Sequence, residues 1–152
     1  MRETKKYTYD EANAVHFTGK ELGEKLSFDQ LYDTTWSYAQ RNFRGRNARI
    51  DSEGHDVLMS MRGIRHALTA AKTADDLYGI IALPQLLQRA VWQGESKDKR
   101  NRNNILNIER YAASIQVGQN KYIAWMVVRE EKGGEKTLGS FRVFLHQELK
   151  GL

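Results

Sequence analysis

The chain changes its hydrophobic rhythm near residue 105. Before that point apolar residues recur at helical spacing; after it they alternate at period two. Residues 1–26 are polar and weakly periodic and read as an irregular lead-in. Residues 27–43 read as a helix, with Phe28, Leu31, Tyr32, Trp36, Ala39 and Phe43 on one stripe. Ser27 and Gln30 form a capping box at its start, and Gly45 suits a left-handed exit. A hairpin is expected over 48–60, turning through Asp51-Ser52-Glu53-Gly54. Ser60 then caps a helix over 61–72 whose core stripe is Met61, Ile64, Leu68 and Ala71. Thr73 and Asp76 cap a further helix to about residue 82, and Pro84 suits the first turn of another over 84–92. Residues 93–104 carry no periodicity and read as a basic loop, either a substrate-binding loop or a solvated connection.

In the second half, Glu109, Tyr111, Ala113, Ile115 and Val117 share one face of a strand. A second strand is expected over 121–130 and a third over 138–146, joined by turns at Gly118-Gln119-Asn120 and at 131–136. Three strands with short connections make an antiparallel meander. The fold class is therefore α+β: N-terminal helices packed on a C-terminal antiparallel sheet, one domain over 27–152.

Composition narrows the chemistry. The 152 residues carry a formal charge of +5, which favours nucleic acid or other phosphate-bearing partners. With no cysteine, disulfides, thiolate metal sites and cysteine nucleophiles are excluded. The sequence contains no His-Glu-x-x-His, no phosphate-binding loop between strand and helix, and no nucleophile elbow. No metal or cofactor is expected. No apolar run is long enough to span a bilayer, so no membrane partner is expected either.

Two histidines stand out. His66 lies about 200° around its helix from Ile64, at 100° per residue, on a polar stripe with Arg62 and Thr69 and next to Arg65. His146 ends the last expected strand, on the face of Arg142. Histidine exchanges protons near neutral pH, and RNA carries its own nucleophile in the 2′-hydroxyl. A base, an acid and a cation suffice to cleave it. His66 and His146 are the candidate acid–base pair, Arg142 the candidate stabiliser of the phosphorane. Arg62, Arg65, Tyr111 and Lys121 are candidates for substrate contact. Arg41, Arg44, Arg46 and Arg49 form a cluster that either complements the helix dipole or forms a phosphate footprint.

The order Gly63-Ile64-Arg65-His66, the helix Ile81-Ala82-Leu83-Pro84-Gln85-Leu86-Leu87, the strand Tyr122–Glu130 and the closing Phe144-Leu145-His146 resemble a known group. It is the nuclease-like domains of large polyvalent proteins of phages and other mobile elements, within the barnase–EndoU–colicin–RelE superfamily. The resemblance covers about residues 50–150. It implies a metal-independent endoribonuclease, a toxin or mobile-element effector, with His66 and His146 at the positions of the group's histidines. Relatives often end Tyr-Asp-His where this chain has Phe144-Leu145-His146. The implied partners are RNA, tRNA included, and a protein inhibitor or immunity partner. The implied location is the cytoplasm, its own or that of a cell into which it is delivered. The alternative is a non-catalytic module that binds RNA or protein.

Overall fold

A computed structural model describes residues 2–4, 6–98, 100 and 102–145. His146 and Lys99 lie outside the described residues. Among the described residues the architecture is α+β, with four α-helices and a seven-stranded mixed sheet.

The helices form where their local signals predict. The first, α1 (Phe28–Asn42), starts at Ser27, whose hydroxyl accepts from the Gln30 amide while the Gln30 side chain accepts from the Ser27 amide. Next, α2 (Met61–Ala70) is capped by Ser60 and α3 (Ala74–Ile81) by a Thr73–Asp76 box. The last, α4 (Leu83–Gln88), carries Pro84 in its first turn. Leu77, Ile80, Leu83, Leu86 and Leu87 are all buried and fill the space between these helices and the sheet.

The expected meander is the centre of the sheet. The strands Ile105–Val117, Asn120–Glu131 and Lys136–Leu145 are the fifth, sixth and seventh in chain order, so we call them β5, β6 and β7. The first four are β1 (Val15–Phe17), β2 (Asn47–Ile50), β3 (His55–Leu58) and β4 (Val91–Ser96). The strand order is β1-β5-β6-β7-β3-β2, with β4 also on β5. The β5–β6 turn has two residues, and Gly118 takes φ +59°, a conformation that favours glycine. The inner face of the meander is Tyr111, Ala113, Ile115 and Val117 on β5 and Tyr122, Ala124, Met126 and Val128 on β6, all buried in the main cluster.

Two expectations are corrected. The sheet is wider than a three-stranded meander and is mixed, because β1 pairs parallel with β5 and β3 meets β7 in parallel at Leu58 and Thr137. The helix expected over 84–92 ends at Gln88, and Val91–Ser96, partly assigned to the loop, is the edge strand β4. The long β5 offers a row of backbone donors and acceptors that need partners. Short β1 and β4 satisfy it in succession, although neither has a clear period of its own.

Candidate functional site

The site is built on the contact between α2 and β7. The Ser60 hydroxyl accepts from the Gly63 amide and donates to the Leu138 carbonyl, both at 3.0 Å. One side chain thus caps the helix and ties it to the strand. Gly63 permits the close approach: a Cβ there would lie 2.4 Å from the Leu138 carbonyl oxygen. With Gly63, Ile64, Ala67 and Leu68 buried, the helix turns Arg62, Arg65, His66 and Thr69 outward.

Those four residues form one wall of a groove of about 700 Å³. The sheet supplies its floor through Ile108, Val127, Arg129 and Ser140, and Glu131 lines it as well. Arg100 and Arg102 approach from the connection between β4 and β5. Asp98 organises that connection. It accepts from the backbone amides of Arg100 at 3.2 Å and Arg102 at 3.0 Å, and from the Arg102 guanidinium at 2.7 and 3.0 Å. These bonds, led by the guanidinium, hold the Asp98 carboxyl well below the usual carboxylate range.

Arg129 is the electrostatic centre. It is half-buried, and its side chain lies across Gly139, where a Cβ would come within 3.0 Å of Nε. It forms no hydrogen bond or ion pair among the described residues. Burial pulls its guanidinium below the ordinary arginine value, and the charges of Arg102, Arg62 and Arg100 pull it further, with Asp98 opposing. Arg65 stacks over Trp36, 5.2 Å from the ring centroid. The groove is therefore strongly basic: five arginines, one of them half-buried, converge on it with Glu131 as the one acid among its described lining residues.

Of the residues singled out from the sequence, His66, Arg62 and Arg65 stand together here. The others do not. Arg142 is exposed and lines a smaller cavity beside Lys72 and Asp76. Lys121 pairs with Glu11 at 2.8 Å, roughly 26 Å from Arg129 along β6 at about 3.3 Å per residue. Tyr111, expected at the substrate, is fully buried and donates to Glu109 at 2.5 Å. Burial and then that bond push its hydroxyl pKa up, so it belongs to the packing of the sheet. The arginines at 41, 44, 46 and 49 are exposed near the end of α1 and in β2, outside the groove, with Arg49 paired to Asp56 at 3.3 Å. The charged groove residues not anticipated are Arg129, hidden in an apolar strand pattern, and Glu131, which falls in the expected 131–136 turn and instead ends β6. Arg100 and Arg102 were visible only as charges of a loop. Among the described residues no cluster of His, Asp or Glu side chains is placed to hold a metal ion, and no helix is long and apolar enough to cross a membrane.

Fold and groove together define an α+β domain with a basic cleft. Residues 26–141 match the family model for the large polyvalent protein-associated domain 3, and the chain belongs to that family. Membership supports the polyvalent phage and mobile-element setting; the family description itself names no activity. The matched stretch contains every residue that lines the groove and stops one residue before Arg142. No curated protein and no solved structure gives a significant match.

Proposed function

We propose that the groove binds RNA through its phosphates and that His66 cleaves it by 2′-hydroxyl attack, without a metal. The carrying observation is the placement of His66 in one groove with Arg129, a half-buried guanidinium with no ion pair among the described residues. Cleavage needs a group to take the 2′-proton, a group to protonate the leaving 5′-oxygen, and cations for the charged phosphorane. In the groove the proton-exchanging groups are His66 and Glu131, and the cations are Arg62, Arg65, Arg100, Arg102 and Arg129. In a mobile-element setting such a domain acts as an effector on RNA in a cell's cytoplasm.

A second reading is a module that holds RNA without cutting it. It is favoured by the position of Arg142 in a different cavity, which leaves His66 as the one described member of the expected catalytic set inside the groove.

The two readings separate in one assay. Purified protein incubated with total RNA in EDTA should cleave it, and His66→Ala should slow cleavage roughly 10²–10⁴-fold while leaving RNA affinity within a few-fold. Intact RNA retained in a salt-sensitive manner selects the binding module. No retention contradicts both readings.

A further inference from the structure

We infer that the RNA taken by this groove is single-stranded, and that its path continues over the outer face of the sheet to stack on Trp125 and Phe144. The inference rests on the groove being an RNA site and adds the form and the course of the ligand.

Strand alternation carries the first part. Tyr122, Ala124, Met126 and Val128 lie in the core, so Ile123, Trp125, Val127 and Arg129 share the opposite face of β6. The β6–β7 register pairs Val127 with Ser140, Trp125 with Arg142 and Ile123 with Phe144. Val127, Arg129 and Ser140 already form the groove floor. The next pair on the same surface is Trp125 with Arg142, and the one after it ends in Phe144. Trp125 therefore stands roughly 13 Å from Arg129 along the strand, at about 3.3 Å per residue.

Exposure carries the second part. Trp125 and Phe144 are half-buried, and neither belongs to the apolar cluster beneath the helices or to the side chains packed against it. The other two tryptophans have assigned places: Trp36 and Trp92 pack on the core and carry Arg65 and Arg2 on their rings. The strip is bounded at its far end, where Tyr7 and Ser114 share a hydrogen bond of 2.6 Å. A half-exposed tryptophan beside an arginine, in line with a basic groove, is the pattern that receives unpaired bases. Bases stack on the rings while guanidinium groups follow the phosphates. Duplex RNA hides its base faces and has no use for such rings. Arg142, which lines a cavity other than the one that holds His66, takes a phosphate on this path.

The test compares a labelled oligouridylate with the same strand paired to its complement, both bound to protein in a His66→Ala background that keeps the RNA intact. The expected result is tighter binding of the single strand. Trp125→Ala should weaken that binding roughly tenfold and leave duplex affinity and the salt slope unchanged, while Trp125→Phe stays within about threefold of the parent. Equal affinity of the Trp125→Ala variant and its parent for the single strand, or equal affinity of the parent for both RNA forms, overturns the inference. If RNA still binds in a salt-dependent manner that Arg129→Ala weakens, that failure is confined to the path. Absence of salt-dependent binding to either form removes the RNA reading and this inference with it.

Discussion

Arg129 and Glu130 are consecutive residues of β6, and they serve two regions with opposite charge balance. Glu130 points to a cluster where Lys136 bonds Glu109 and Glu130, the latter at 3.1 Å, and Tyr111 donates to Glu109. The Lys136 and Glu109 side chains are only 9% and 7% exposed. Burial alone would lower the Lys136 ammonium pKa, and the two carboxylates more than reverse that, so it is raised. Arg129 points to the groove, where the charges of Arg102, Arg62 and Arg100 act on it against that of Asp98, and where Glu131 is the one acid among the described lining residues. The paired cluster is complete without a ligand. The groove has charge left over, and a desolvated cation without a partner is disfavoured unless an anion supplies one. Both regions are polar and strand-built; the charge left over in the groove is the ground on which the groove, and not the cluster, is proposed as the functional site.

The comparison breaks most visibly at Lys136. Lys136→Met leaves the Glu109 carboxylate buried without its ammonium and should lower stability by about 3 kcal/mol in urea denaturation, with RNA affinity unchanged. Gly63→Ala comes next. Its Cβ cannot share space with the Leu138 carbonyl, so α2 must shift, at a cost of about 2 kcal/mol, and the wall holding His66 shifts with it; both stability and RNA cleavage should fall. Arg129→Met reverses the Lys136 pattern. Stability should stay within about 0.5 kcal/mol, while RNA affinity falls several-fold and the slope of log affinity against log salt flattens by about one. Ser60→Ala is milder than Gly63→Ala on the same wall: it removes the cap of α2 and its tie to Leu138 for about 1 kcal/mol of stability and a modest loss of cleavage rate.

The parts of this picture that the chain displays locally were legible without coordinates. The capping box of α1 lies within Ser27–Gln30, and the polar stripe that exposes His66 follows from helical period alone. The inner face of β5 follows from alternation. What was hidden is non-local. The pairing of β1 with β5 joins Val15 to Ile115, a hundred residues away, and β4 pairs with β5 across the loop region. Arg129 reads as one polar residue in an apolar run. Its meaning comes from α2 lying against β7, and that contact depends on Gly63 and Ser60 meeting Leu138. Arg142 and His66 were joined by their residue types. Alternation places Arg142 on the groove's face of the sheet, yet it does not measure distance along the strand. Arg142 pairs with Trp125 across β6 and β7 and lines a cavity other than the one that holds His66.

The most direct test follows the backbone amide signals of the isotope-labelled protein during titration with a single-stranded oligoribonucleotide at low salt. Shifts concentrated at residues 62–69, at Arg100 and Arg102, and at Arg129 and Ser140, with the signals of Glu53, Trp92 and Lys136 unmoved, are the predicted result. Shifts centred on the Glu109–Lys136 cluster, or none at the groove at saturating RNA, would contradict the assignment of the unpaired arginines as the RNA site.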